Sequence, residues 1–119
     1  MQLLAERGEE FGSHTGLGWI PGVVRLIAPA DDTIKVPHMG WNDVTPALPH
    51  SLIETGEAYF LHSYHFDAVD PADVIATTEH GGPLVAAVGR DNIIGVQFHP
   101  EKSQRYGLSF LSRFLEWRP

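Results

Sequence analysis

Apolar and polar positions alternate along most of the chain, which is typical of β-strands, and a helical spacing appears only near the end. The alternating runs are rich in β-branched and aromatic residues, and turn-forming residues separate them. We therefore predict strands over residues 19–27, 33–36 leading into 37–42, 58–64, 73–78, 84–89 and 93–98. Between them we predict turns at 28–32, 80–83 and 90–92, a loop at 46–50 and one short helical turn at 51–55.

The two ends of the chain depart from this pattern. Residues 1–8 contain strong helix formers followed by Gly8, with no N-cap, so they predict the C-terminal part of a helix. Residues 9–18 form a glycine-rich loop, which we interpret as a flexible connector. Residues 103–117 predict a helix with Ser103 as its N-cap. The apolar face of that helix contains Phe110, Leu111, Phe114, Leu115 and Trp117.

Composition narrows the possible classes of protein. With 119 residues, of which 43% are hydrophobic, the chain fits one domain. The net charge of −7 and the lack of a Lys/Arg cluster argue against binding to nucleic acid or to an anionic membrane. No apolar run approaches the length of a membrane span, and the start does not look like a signal peptide, so we expect a cytoplasmic protein.

The contents of cysteine and histidine bear on metal and thiol chemistry. The sequence has no cysteine, which excludes disulfides, thiolate metal sites and a cysteine nucleophile within these residues. Seven histidines are present, but His62 and His65 are three apart on a predicted strand and should point to opposite faces. We therefore expect neither a metal site nor a cofactor. The remaining candidates His14, His38 and His50 are interpreted as loop residues.

Candidate chemistry lies at residues 95–103, where a predicted buried strand runs into Pro100. Proline cannot donate to a sheet ladder, so regular pairing should end there. His99 and Glu101 are two apart, and in extended chain their side chains point the same way. A carboxylate beside an imidazole can orient the histidine and stabilise its protonated form, as a general base requires. The alternative is an ordinary strand end followed by polar turn residues.

The stretch GVQFHPEKS at 95–103 resembles the His-x-Glu motif of class I, triad-type glutamine amidotransferases. The stretch PHMGWN at 37–42 is similar to one branch of that family, the glutaminase subunit of imidazole glycerol phosphate synthase in histidine biosynthesis. Residues 59–64 and 16–18 fall in the expected order around these motifs. The resemblance covers the whole chain. It implies an α/β, flavodoxin-like fold, of which residues 1–119 would be the strand-rich C-terminal part, with a mixed sheet and a C-terminal helix.

The sequence also departs from the family pattern. In the family, a Gly-x-Cys-x-Gly nucleophile elbow directly precedes the residues that match 1–4, and a glycine-rich oxyanion strand lies further upstream. Neither is present, so we expect an N-terminally truncated gene or a mis-assigned start, and an inactive isolated chain. A partial sheet exposes an open edge and apolar faces, so we also expect self-association, element swapping or poor stability.

The resemblance implies roles for several residues in the hydrolysis of L-glutamine. His99 would take the proton of the cysteine thiol and pass it to departing ammonia, and Glu101 would hold His99 in its working tautomer. Glutamine itself would be held by four further residues, a carboxylate meeting its ammonium and backbone groups meeting its carboxylate. Without the resemblance, these could be ordinary surface or strand-end residues. The four are Gln2, Glu10, Ser63 and Tyr64.

The resemblance further implies a partner, a (βα)8-barrel cyclase that receives ammonia through its interior. Lys102 directly follows the His-Glu pair and could meet an acidic residue on the barrel rim. Trp41 offers a large apolar surface of the kind that anchors interfaces, and Tyr59 is a third candidate. The alternative is that Trp41 is an ordinary core residue and Lys102 a solvated charge.

Three functions therefore remain open from the sequence. The first is the glutaminase subunit of the histidine-biosynthesis amidotransferase, which the 37–42 stretch favours. The second is another class I amidotransferase, feeding purine, pyrimidine or cofactor synthesis. The third is a binding remnant that docks on a partner without chemistry, which the missing cysteine favours.

Overall fold

Two β-sheets and one α-helix make up the structure, a computed structural model that describes residues 1–119. The elements follow one another as short strands joined by tight turns, with the helix last. The strands are β1 (Arg7–Gly8), β2 (His14–Thr15), β3 (Gly22–Leu26), β4 (His38–Pro46), β5 (Gly56–His62), β6 (Tyr64–Ala68), β7 (Val74–Glu79), β8 (Pro83–Arg90) and β9 (Ile93–Val96). The helix is α1 (Gln104–Glu116), and single 3-10 turns cover Gln2–Leu4, Pro71–Asp73 and Pro100–Lys102.

The first sheet has the order β2-β1-β3-β6, and the second has the order β5-β4-β7-β8-β9. Only β1 and β3 pair in parallel; all other neighbouring strands are antiparallel. The expected strand-rich α/β class with a C-terminal helix is confirmed. The expected mixed sheet is divided in two, because the chain leaves the second sheet at His62 and enters the first at Tyr64.

The core has two buried clusters. Edge-to-face aromatic contacts join the second sheet to α1, with Phe98 lying 6.2 Å from Phe60 and 5.6 Å from Phe110 between ring centroids. The other cluster joins the first sheet to β8 of the second and contains Ala5, Ile20, Val24, Phe66 and Val88. The motif that carries His99 therefore continues directly from a core residue, Phe98.

The N-terminal segment differs from the predicted helix. Only Gln2–Leu4 form a 3-10 turn; Ala5 is extended, and Arg7–Gly8 pair with β3. The glycine-rich loop is also not a free connector, because the backbone N–H groups of Gly16 and Gly18 donate to Glu6 and Ala5. A Cβ at Gly16 would lie 2.1 Å from the Ala5 carbonyl oxygen, so only glycine permits this approach.

Three central predictions also need correction. Residues 33–36 form a turn rather than a strand, since Asp31 accepts hydrogen bonds from the backbone and the hydroxyl of Thr33. Residues 51–55 form a turn and no helix. The strand predicted over 58–64 is interrupted at Ser63, and Tyr64 begins a new strand. Strands β3, β7, β8 and β9 and helix α1 lie where the sequence pattern predicts them, within a few residues.

The apolar face of α1 is largely uncovered. Phe110 is 6% exposed, whereas Phe114 and Leu115 of the predicted face are 44% and 78% exposed. Leu108, which is not part of that face, is 69% exposed. The helical spacing of the apolar residues is therefore real, but only part of the stripe meets the sheet. No helix in the structure has the length and apolar character needed to cross a membrane.

We predict that the 119-residue chain self-associates through exposed apolar surface, which includes the uncovered face of α1. Sedimentation velocity should show a mean mass that rises with protein concentration. The double variant Leu108→Glu, Leu115→Glu should shift the distribution toward monomer, because association would then bury charge. A parent chain that stays monomeric at all concentrations contradicts this prediction.

Candidate active site

One cleft gathers most of the predicted site residues. It has a volume of about 730 Å³ and lies where residues 1–3, the β5–β6 junction and the segment after β9 meet. Five of the predicted residues line it, whereas Glu101 reaches it through His99 and the three predicted partner residues lie outside. The five are Gln2, Glu10, Ser63, Tyr64 and His99.

The His99 imidazole and the Glu101 carboxylate are in contact, with 2.8 Å between Nδ1 and Oε1. The spacing predicts extended backbone between them, and this is wrong. Residues Pro100–Lys102 form a 3-10 turn that brings the carboxylate back onto the ring. A backbone N–H and the His99 side chain hold the pKa of Glu101 below its usual value. With Nδ1–H directed to a carboxylate, Nε2 of His99 is the nitrogen left to accept a proton.

Ser103 fixes this turn, although not in the role that the sequence predicted. It is 1% exposed and makes no side-chain cap at the start of α1. Its hydroxyl instead donates to the carbonyl of His99 at 2.7 Å and accepts from the backbone N–H of Tyr59 at 2.9 Å. The backbone of His99 also donates to the carbonyl of Tyr59. Two hydrogen bonds thus tie the turn carrying the imidazole to β5, and the bond from Ser103 to the His99 carbonyl closes the turn itself.

Gln2 is oriented by both hydrogens of its amide. Nε2 donates to the carbonyl of Tyr64 at 2.9 Å and to Oε1 of Gln97 at 3.0 Å. The amide oxygen is the group left for a ligand in the cleft. Sequence reasoning did not single out Gln97, although it stands two positions before His99 in the same motif.

Glu10 lies at the rim of the cleft and is exposed. The neighbouring carboxylate of Glu9 pairs with Arg7 and Arg25, whereas Glu10 takes part in none of the ion pairs of the structure. An unpaired carboxylate at a cleft rim can receive a cationic group of a small ligand.

The three predicted partner residues form one cluster on the outward face of strands β4 and β5. Trp41 and Tyr59 are register partners with ring centroids 6.2 Å apart, and Lys102 Nζ lies 5.7 Å from the centre of the Tyr59 ring. Trp41 is 46% exposed and is therefore not an ordinary core residue. Met39 and Leu61 are register partners two residues along each strand, and both are exposed, so they extend the cluster. These five residues are called the outer patch below.

Strand alternation could have identified Met39 and Leu61. Residues i and i+2 of a strand share a face, and Met39 is two before Trp41, as Leu61 is two after Tyr59. The motif alone indicates neither residue, because it gives single positions and not the pairing of β4 with β5.

The inner face of the same two strands carries a histidine cluster. His38 is 3% exposed and lies on β4, so its predicted loop position is wrong. Its Nδ1 lies 2.8 Å from Nε2 of His62, its ring stacks on Phe60, and the ring of His80 lies 4.4 Å away between centroids. Burial, with smaller contributions from the neighbouring histidines, lowers the pKa of His38 to about 4.

The remaining histidines differ in their positions. His62 and His65 lie on β5 and β6, two different strands, rather than on opposite faces of one. His14 lies on the short strand β2 and is exposed, and His50 lies in a loop as predicted. No group of three or more histidine, aspartate or glutamate side chains is arranged to hold a metal ion.

Comparison with known proteins places the chain in a family. The family described as "Glutamine amidotransferase class-I" matches residues 1–117. The protein named "Imidazole glycerol phosphate synthase subunit HisH" from Zymomonas mobilis is 63% identical over 120 residues, which cover 100% of this chain and 56% of the relative. Proteins of the same name from Rhodospirillum rubrum and Azospirillum brasilense are 55% and 52% identical, with 58% and 64% of each relative covered. The chain thus spans less than two thirds of the length of these relatives, and it belongs to the class I glutamine amidotransferase family.

Proposed function

We propose that the 119-residue chain is part of the glutaminase subunit of an imidazole glycerol phosphate synthase. This subunit releases ammonia from L-glutamine for a cyclase partner. The observation that carries the proposal is the contact between His99 and Glu101 at a cleft lined by Gln2, Glu10 and Tyr64. The names of the similar proteins and the PHMGWN stretch at residues 37–42 support this branch over other class I amidotransferases.

The proposed chemistry assigns proton transfer to His99. A family cysteine, which these 119 residues do not contain, would attack the carboxamide carbon of glutamine. Nε2 of His99 would take the thiol proton as the sulfur attacks, and the imidazolium would return that proton to the nitrogen that leaves as ammonia. Glu101 would keep Nδ1 protonated throughout and stabilise the imidazolium.

The proposed substrate contacts match the two charged ends of a free amino acid. The ammonium would meet the carboxylate of Glu10 and the free amide oxygen of Gln2. The carboxylate would meet backbone groups at Ser63 and Tyr64, where the chain crosses between the two sheets. The carboxamide would then extend toward His99.

The test of this proposal is a glutaminase assay on a chimera. The chimera joins the 119 residues to the part of the Zymomonas mobilis relative that the match does not cover. We expect ammonia release by the chimera with a cyclase subunit present, and none by the 119-residue chain, because loss of a triad nucleophile removes several orders of magnitude in rate. Comparable release by the 119-residue chain would contradict the assigned chemistry, and an inactive chimera would reject the glutaminase function.

A second candidate function is a binding module without chemistry. The absence of cysteine in these residues is the observation that favours it. In that case the 119-residue chain should bind the cyclase barrel, and the chimera should not hydrolyse glutamine even with the cyclase present. The same assay, combined with a binding measurement, therefore separates the two functions.

We further propose that the outer patch docks on a (βα)8-barrel cyclase. Its apolar rings and one lysine lie beside the His99 turn, so ammonia could cross without meeting bulk water. Aromatic residues in such patches are frequent anchors of binding energy, and a lysine at the rim can pair with an acidic residue of the partner.

We expect Trp41→Ala in the chimera to weaken cyclase binding by about 10-fold to 100-fold. Lys102→Ala should have a smaller effect that disappears at high salt, because the lysine is exposed. Both should also reduce the fraction of glutamine hydrolysis coupled to cyclase turnover. Titration calorimetry measures the affinity. Val69→Ala, which removes an apolar side chain that is 72% exposed outside the patch, is the control. Unchanged binding in both patch variants would disprove the interface.

A further inference from the structure

A row of hydrogen bonds runs along the inner face of strands β4 and β5 and ends at the cleft. Nδ2 of Asn42 lies 3.0 Å from Nε2 of His38, and Nδ1 of His38 lies 2.8 Å from Nε2 of His62. Nδ1 of His62 in turn lies 2.8 Å from the carbonyl oxygen of Tyr64. These four groups are called the histidine network below.

The direction of every hydrogen bond in the network follows from the amide of Asn42. Its oxygen accepts from the backbone N–H of Asp43 at 2.8 Å, and its nitrogen donates to the carbonyl of Glu79 at 2.8 Å. The amide orientation is fixed by these two backbone groups, so Asn42 can only donate to Nε2 of His38. His38 must then carry its proton on Nδ1 and donate to Nε2 of His62.

The same logic sets the tautomer of His62. Since Nε2 of His62 accepts, its proton is on Nδ1 and is donated to the Tyr64 carbonyl. Burial lowers the pKa values of His38 and His62, so both rings stay neutral at pH 7 and the row stays intact. His62 lines the cleft, but both of its nitrogens are occupied, so it is not free to exchange protons with a ligand there.

The Tyr64 carbonyl is where the network meets the substrate groups. It accepts both from His62 and from the amide of Gln2. Holding this carbonyl therefore fixes the backbone at Tyr64, where β6 begins, and at the same time the direction of the Gln2 amide oxygen. Both features belong to the proposed glutamine site.

We propose that His38 and His62 are positioning residues for glutamine binding, acting through the Tyr64 carbonyl. This inference rests on the proposed glutaminase function. It assigns the two histidines no proton transfer, which remains with His99. Their contribution is to substrate affinity, and it depends on the tautomer that Asn42 imposes.

Two substitutions at position 62 test the roles of the two ring nitrogens one at a time. An asparagine amide can take the place of Nδ1 and donate to Tyr64, whereas a glutamine amide reaches the place of Nε2 and loses that bond. In the chimera with cyclase present, His62→Gln should raise the KM for glutamine about 10-fold and leave kcat within about threefold, as expected for one lost hydrogen bond. His62→Asn should keep the KM within about threefold of the parent value.

A third substitution changes the network without changing its shape. Asn42→Asp replaces the amide nitrogen that donates to His38 and to the Glu79 carbonyl with an acceptor oxygen. The proton of a neutral His38 must then move to Nε2, which reverses the bond to His62. This isosteric variant should raise the KM about as much as His62→Gln does. Thermal unfolding of each variant checks that it is folded, and the 15N shifts of the imidazole rings in the parent 119-residue chain should show both His38 and His62 as neutral Nδ1–H tautomers.

The outcomes distinguish this inference from the function on which it rests. A chimera that releases no ammonia rejects the proposed function and the substrate named here. An active chimera in which His62→Gln and Asn42→Asp keep the parent KM overturns the positioning role alone. The role is equally overturned if His62→Asn and His62→Gln raise the KM alike, or if either ring is found as the Nε2–H tautomer.

Discussion

Replacing His99 with alanine in the chimera should lower glutamine turnover about 10⁴-fold or more, since no other group in the cleft is arranged to move the thiol proton. His62 is the only other histidine that lines the cleft, and both of its nitrogens are hydrogen-bonded. The affinity for glutamine should change little, because the predicted substrate contacts are made by Gln2, Glu10 and the backbone near Tyr64. Steady-state ammonia release with cyclase present measures the effect.

Glu101→Gln should produce a smaller loss, about 10²-fold. The substitution keeps the shape of the side chain and removes its charge, so the imidazolium formed during proton transfer loses its counter-ion. The side chain of Glu101 is 64% exposed, and water can replace part of the lost stabilisation. Glu116→Gln, at the end of α1, is a matched control that should leave turnover unchanged. Parent-like turnover in His99→Ala would show that the pair is only a feature of a turn.

The sequence predicts the elements that depend on periodicity and turn residues within one segment. Helix α1 has a helical repeat of apolar residues, and β7 and β8 are alternating runs separated by a glycine-containing turn. The spacing of His99 and Glu101 likewise predicts that their side chains meet, and they do. The predicted extended backbone between them is wrong, because a 3-10 turn brings them together.

What the sequence did not predict depends on contacts between distant residues. Strands β1 and β2 have two residues each and exist because they pair with β3 and with each other. Ser103 has the composition of an N-cap, but the approach of Tyr59 turns its hydroxyl toward β5. His38 looked like a loop residue because the pairing that buries it, with His62 on β5, is 24 residues away.

The cleft also depends on contacts between residues that are distant in the sequence. The resemblance supplied Gln2, Glu10, Ser63 and Tyr64 as separate positions, and the structure brings them to one cleft with His99. Sequence alone gave no reason to connect this cleft to the inner face of strands β4 and β5. That connection appears only when His38 and His62 are seen as register partners.

Phe98→Ala should destabilise the fold by about 3–5 kcal/mol, the usual cost of removing a buried phenyl ring. Phe98 is 2% exposed, and its ring makes edge-to-face contacts with Phe60, Tyr106 and Phe110. It therefore joins β5, the His99 segment and α1 at one point. Since domains are stable by only about 5–15 kcal/mol, the variant should be largely unfolded at moderate urea concentrations.

Urea unfolding followed by tryptophan fluorescence, at one fixed protein concentration, measures this effect. Phe98→Leu should cost less, about 1–2 kcal/mol, because most of the buried apolar volume is retained. Phe11→Ala is the surface control, since Phe11 is 93% exposed and its loss should change stability by less than about 0.5 kcal/mol. A Phe98→Ala variant as stable as Phe11→Ala would mean that the helix and the sheet do not share this core. Because His99 follows Phe98 directly, the same cavity should also disorder the turn that carries His99, so the chimera carrying Phe98→Ala should lose turnover at urea concentrations where the parent remains active.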